Sequence, residues 1–430
     1  MKIRTFIATT IAATLLSVSP VLAGEDDKKK SDEDFKEGSV SGGASKSALI
    51  DGKLPDFERT DFTSDNPLSK EEALAMPWPM EVYRGAQALK LEPEFVWACY
   101  QGIEFIYKRD YKNAKTHWDS LNTTHPGRAV GHVGNVLLYQ ALMLENFDYR
   151  YEQQYLFHSQ KALEELEAGL KKPGDEAWEH FLTGGMIGIE SIHTMRRGDF
   201  VPALTRGVEA IGHVKKVKEL APKFSDPVLG DGLYKYWKTV VSQNSKLLPD
   251  GEDERVTGIS LMRKAESEAV FVGPASTLAL VFTWIEEREF NRSLESCMRN
   301  RRQYPQNIIN SMVMGRVYMY MRKYDNSLKI FDEVLQTAPD NMRVHYYKAT
   351  TYLRKRDYDN AEVSIDKYLT FDLEPEFKAA GLHRKGDIHY RRKDYKEAEK
   401  YYKQAVKLND YSPSQARLKR IKKLKKEGKI

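Results

Sequence analysis

Glu190 and His193, in the run Glu190-Ser-Ile-His193, stand three residues apart, which puts both side chains on one face of a helix. Such a pair could help to hold a metal. A di-iron bundle needs two such pairs and two further carboxylates, and no second Glu-x-x-His is present. The pair therefore reads as part of a helix surface. His125 and His132 flank "PGRAVG" with no third ligand near them in sequence. Two glycine clusters, "TGGMIG" at 183–188 and "LGDGLY" at 229–234, would cradle phosphate only if a strand preceded them. They sit in helical text, where glycine marks close helix packing. The chain has no Cys-x-x-Cys, no His-Glu-x-x-His and no Gly-x-Ser-x-Gly. No catalytic, metal or cofactor residue is assigned. The chain reads as a non-enzyme, with a hydrolase or metal site in its middle as the weakest alternative.

What recurs is a different kind of text. "RKRDYDNAE" at 354–362 has near-copies in "KRDYKNAK" at 108–115 and "RKDYKEAE" at 392–399. Weaker echoes are "MRKYDNSL" at 321–328, "EREFNRSL" at 287–294 and "RGDFVPAL" at 197–204. The small residues Ala114, Ala203, Ser293, Ser327, Ala361 and Ala398 align. From Ser293 onward they are 34, 34 and 37 residues apart, and the earlier steps are 89 and 90. Where two helices of a hairpin cross closely, only Gly, Ala or Ser lets the backbones approach. Large residues three and four positions away fill the space alongside. The Asp of the motif can cap the second helix and the Tyr can pack back into the hairpin. Pro126, Pro305 and Pro339 mark helix ends.

A 34-residue period of paired helices resembles the tetratricopeptide repeat (TPR). The residues that carry the likeness are Gly315, Tyr318, Phe331 and Pro339 in 308–341, and Ala349, Tyr352 and Ala361 in 342–375. Unit 379–412 supplies Gly386, Ala398, Tyr402 and Ala405, and unit 95–128 supplies Gly102, Phe105, Ala114 and Pro126. A degenerate unit at 274–307 keeps Trp284, Ser293 and Pro305. Between 129 and 270 the spacing fails while helical patterning continues, over 132–147, 152–171, 176–197 and 201–219. The run 226–265 reads as a Gly-rich helix, a loop and a further helix. The resemblance implies an all-α, right-handed solenoid of antiparallel hairpins.

It also implies a concave groove lined by the first helix of each hairpin. Carried over by position, the lining is Met312, Arg316, Tyr320, Arg343, Tyr346, Tyr347, Arg354, His383, Arg384, Asp387, Tyr390 and Arg391. Arginine and tyrosine on one face suit an extended peptide with acidic and aromatic groups. TPR proteins that clamp a C-terminal carboxylate use Lys and Asn at five places. Here those places hold Met312, Arg316, Tyr347, Ala380 and Arg384, of which only Arg384 fits.

The remaining text concerns export and charge. Residues 1–23 have a basic start (Lys2, Arg4), a short apolar middle and small residues before Gly24, the layout of a secretory signal peptide. An uncleaved anchor is the rival reading, and it needs about 20 strongly apolar residues. Residues 24–65 read as a mixed-charge disordered arm, 66–270 as irregular TPR-like helices and 271–412 as C-terminal repeats. The 430-residue chain has a net charge of +5, which falls to +3 when Lys2 and Arg4 are cleaved off. Residues 412–430 hold eight Lys/Arg against Glu427, so the rest carries about −4 and offers no general field for nucleic acid.

Leu418, Ile421 and Leu424 lie three apart, so 413–430 can form a basic amphipathic capping helix. A sharper reading is contact with an anionic envelope surface. Cys99 and Cys297 could pair in an oxidising compartment, but they read as buried free thiols. The sequence is thus expected to encode an exported scaffold, periplasmic or secreted, that binds a peptide or protein without a cofactor. An anionic-surface binder is the runner-up.

Overall fold

The computed structural model describes residues 77–430, apart from 147, 198 and 245–251; the signal-peptide and arm readings lie outside the described residues. The chain is all-α, with the TPR-like solenoid architecture of successive antiparallel hairpins, and the described residues contain no strand. It divides into two compact units.

Unit 1 comprises residues 77–142 and 150–307 of the described chain. After α1 (Met80–Leu89) come five hairpins. These are α2 (Pro93–Tyr107) with α3 (Tyr111–Thr124), α4 (Val130–Asn146) with α5 (Glu152–Gly169), and α6 (Glu176–Arg196) with α7 (Phe200–Leu220). Then follow α8 (Pro227–Asn244) with α9 (Arg255–Glu268), and α10 (Gly273–Glu286) with α11 (Phe290–Gln303). Unit 2 comprises residues 143–149 and 308–430, holding α12 (Ile308–Tyr320), α13 (Tyr324–Thr337), α14 (Met342–Lys355) and α15 (Tyr358–Leu369). It continues with α16 (Pro375–Arg391), α17 (Tyr395–Asn409) and α18 (Ser412–Lys426).

The recurring motif forms hairpin joints. Asp110, Asp357 and Asp394 each cap the following helix, accepting from the backbone N–H of Asn113, Asn360 and Glu397 at 3.4, 3.2 and 3.3 Å. The basic residue just before carries the turn. Arg109, Arg288, Arg322, Arg356 and Lys393 all have φ between 59° and 67°, the left-handed conformation that ends a helix.

Small residues sit where expected. Gly386 faces Tyr402, 16 residues on, closely enough that a Cβ would meet the ring at 2.6 Å. Gly102 and Gly134 both lie against the buried Trp118 indole, which would overlap a methyl group on either. Gly134→Ala should therefore destabilise unit 1 by about 1–3 kcal/mol, measured by chemical denaturation. Adding Trp118→Phe to that variant should recover part of the loss, and no recovery would point to a backbone effect.

The degenerate hairpin 273–303 belongs to unit 1, which ends at 307. The reason is packing at the far end of unit 1. Tyr304 donates to Glu104 and its ring lies 5.2 Å from that of Tyr107. The degenerate hairpin α10–α11 is thereby tied to α2. Val270 packs on Gly85 of α1, and Phe271 joins Trp178, Phe181 and Phe224 in an aromatic cluster. Cys99 and Cys297 are buried on α2 and α11 and are not joined by a disulfide.

Candidate functional site

The candidate groove residues come from α12, α14 and α16, the first helices of the hairpins in unit 2. Most are not open to a ligand. Arg343 is 1% exposed, with its guanidinium 5.2 and 5.1 Å above the rings of Tyr346 and Tyr347 and its Nε donating to Tyr347 Oη at 3.3 Å. Arg316 stacks on Tyr347 at 5.4 Å and donates to Tyr320 Oη at 3.3 Å. Arg384 donates to Asp387 at 3.2 Å and to Tyr346 Oη at 3.4 Å. Arginine thus alternates with tyrosine from repeat to repeat, each planar cation resting on an aromatic face.

Asp387, 3% exposed, collects several of these groups. It accepts from Tyr402 Oη at 2.8 Å and from Arg417 Nε of α18 at 3.2 Å, and His383 Nε2 lies 3.4 Å away. Burial alone would push its carboxyl up. The charges of His383, Arg417 and Arg384 outweigh burial and hold it well below the usual carboxylate range. His383 Nδ1 meets Ser414 Oγ at 2.9 Å, so Ser414, His383 and Asp387 line up as a hydrolytic triad would. Ser414 is fully buried and leaves no room for a substrate, so the alignment serves as a structural pin.

Arg316, Arg343, Tyr346, Tyr347, Arg384, Asp387 and Tyr390, together with Met312 and His383, are thus buried within the chain. Glu145 and Tyr149 lie against the first helices of unit 2: Asn341 Nδ2 donates to Glu145 O at 2.8 Å, and Tyr149 stacks on Phe377. From the other side come Tyr411, 5.4 Å from the His383 ring, and Arg417, 5.3 Å above Tyr390. Repeat position tells which way a residue points and is silent about what covers it. Tyr320, Arg354 and Arg391 keep partial exposure at the C-terminal ends of α12, α14 and α16, with Arg354 5.6 Å above Tyr320.

The α18 helix caps the last hairpin. Leu418, Ile421 and Leu424 pack on Tyr390, Ala398 and Tyr402. Its lysines Lys419, Lys422, Lys423, Lys425 and Lys426 face outward. Lys425 pairs with Glu399 at 2.6 Å, and Lys423 lies 3.7 Å from Glu427.

In unit 1, Glu190 and His193 diverge. Glu190 bonds Ser159 and Arg206, while His193 bonds Glu152 at 2.8 Å. The described residues hold no group of three or more His, Cys, Asp or Glu placed for a metal. Both glycine clusters serve packing: Gly184 faces His213 on α7, and Gly232 faces the Gly258 backbone on α9. Sequence reasoning missed two histidine pairs, His132–His158 and His180–His213, whose partners are 26 and 33 residues apart with no spacing rule to link them. Among the described residues no helix is long and apolar enough to cross a membrane.

Residues 312–372 and 379–412 match tetratricopeptide-repeat family models. The chain carries tetratricopeptide repeats. These matches fall on α12–α17, the helices that hold the arginine–tyrosine array. Among solved structures the chain is similar to the human IFIT1 dimer with PPP-AAAA, at 15% identity and a TM-score of 0.39, covering 81% of this chain and 86% of that one. It is also similar to yeast Tom70, at 12% identity and a TM-score of 0.38, covering 76% and 81%. No curated protein matches the sequence.

Proposed function

We propose that this chain is an exported, non-enzymatic scaffold of the cell envelope that binds a protein partner along its C-terminal repeats. The observation that supports this reading is a row of half-exposed residues, Tyr320, Arg354 and Arg391. They occupy the same position in three successive repeats, at the ends of α12, α14 and α16. Arginine fits carboxylates in bidentate fashion and tyrosine offers rigid contact area. The partner surface is therefore acidic and extended, and the buried array beneath fixes the spacing of the row. Export is tested by N-terminal mass analysis, which should find a mature chain beginning near Gly24.

Binding is tested by pull-down from envelope extract with the full chain, an Arg354→Glu/Arg391→Glu variant, and a chain lacking 413–430. Each arginine anchor is worth about 1–2 kcal/mol, so the charge-reversed variant should hold its partner at least tenfold more weakly. Undiminished capture by a folded variant would remove the row from consideration. A second reading, contact with an anionic envelope surface, is supported by α18. Its apolar stripe is committed to the cap, which leaves the lysine face outward. Each lysine near such a surface contributes ~1 kcal/mol and is screened by salt. Deleting 413–430 should abolish that binding and spare binding through the row.

A further inference from the structure

His180 on α6 and His213 on α7 meet across a hairpin whose helices both run 21 residues. Their Nδ1 atoms lie 2.8 Å apart and their ring centroids 5.0 Å apart. Gly184, one turn along α6, permits the approach: a Cβ there would lie 3.0 Å from His213 Cβ and 3.3 Å from Ala210 O. Both rings are half-buried and reachable from solvent. Glu176 and Glu209, each four residues before the histidine of its own helix, act on the pair electrostatically, against Lys216. The arrangement recurs one hairpin earlier. His132 on α4 and His158 on α5 place their Nδ1 atoms 2.9 Å apart, with Asp119 and Glu165 within electrostatic range of His132. Four of the ten histidines are engaged in this way.

Two neutral imidazoles with facing Nδ1 atoms can share one proton. The same convergence of lone pairs suits a borderline metal ion, for which imidazole is a preferred ligand. We propose that His180 and His213 bind a divalent transition-metal ion of the zinc, nickel or copper class through both Nδ1 atoms, with water completing its coordination. Bonds of ~2.0–2.1 Å in tetrahedral geometry need the nitrogens about 3.3 Å apart, a small side-chain rotation from where they stand. The two glutamates offset the charge of the ion without ligating it. Burial lowers the basicity of both rings, which keeps them neutral and able to coordinate near pH 7. The His132–His158 pair is the poorer host, because His158 is only 8% exposed.

Isothermal titration of the full chain with Cu²⁺, Ni²⁺, Zn²⁺ and Mg²⁺ tests the site, using wild type, His180→Gln/His213→Gln and His132→Gln. Wild type should show saturable binding with proton release, tighter for Cu²⁺ than for Ni²⁺ and absent for Mg²⁺. The double variant should bind at least tenfold more weakly, and His132→Gln should bind like wild type. Circular dichroism checks that the double variant is folded; if it is not, His180→Gln alone, at a half-exposed position, replaces it. No saturable binding to wild type overturns the proposal, because it leaves only a histidine–histidine hydrogen bond. Unchanged binding by the double variant, or its loss in His132→Gln alone, also overturns it.

Discussion

Asp387→Ala should lower the stability of unit 2 by about 3–5 kcal/mol, the range for removing one partner of a buried ion pair. The carboxylate is the meeting point of Arg384, Arg417, His383 and Tyr402, drawn from α16, α17 and α18. Its loss leaves buried cations facing an empty acceptor and loosens α18 from the last hairpin. Asp387→Asn keeps the Tyr402 hydrogen bond and should cost less. The pH dependence has a definite sign. The folded carboxyl titrates below its unfolded value, so the stabilisation is present above the ordinary aspartate range and disappears as pH falls through the folded value. Denaturant titrations at pH 7 would decide it. A loss under 1 kcal/mol would mean that the cluster does not hold α18.

Asp226→Ala should be comparably severe in unit 1. The buried Asp226 carboxylate accepts from the backbone N–H groups of Val270, Phe271 and Val272 at 2.8, 2.7 and 3.0 Å. Those bonds aim Val270 at Gly85 and Phe271 into the aromatic cluster. Removing the acceptor orphans three amides, each costing about 1–3 kcal/mol when buried and unpaired, with relaxation keeping the total near 3–5. Burial raises the Asp226 carboxyl to about 6, against the pull of those three N–H groups. A raised acid binds its proton more tightly in the folded state, so this group adds stability as pH falls through 6. Wild type should therefore gain about 2 kcal/mol on Asp226→Asn between pH 8 and pH 4.5. A constant difference across that range would show that Asp226 titrates normally.

Much of the hairpin architecture was legible because its causes are local. The Asp of each "RDY" joint caps the next helix, and Gly102 and Gly386 face Trp118 and Tyr402, as the spacing implies. The left-handed arginine or lysine before the cap was not legible, since only glycine or asparagine advertises that conformation. The candidate site was legible in membership and illegible in role. Position places Arg343 and Asp387 on inward faces, but it does not tell that Tyr411 and Arg417, at the end of the last repeat and on the capping helix, pack against that face. Asp226 escaped because its partners are set by how hairpins stack, and the histidine pairs because they meet across long hairpins outside the 34-residue period.

The contact between Tyr304 and Glu104 bears on how unit 1 comes together in time. Arrays of repeats gain and lose members one by one, because each touches only its neighbours. Here residues 200 apart in sequence are joined, so α11 is held by α2 as well as by its own hairpin partner. Bringing such distant ends together carries an entropic penalty that grows with the logarithm of the loop, which places this contact late in folding. Once it has formed, neither end of unit 1 can peel away without disturbing the other. The unit then opens as one cooperative block, where a chain of independent links would fray from its ends.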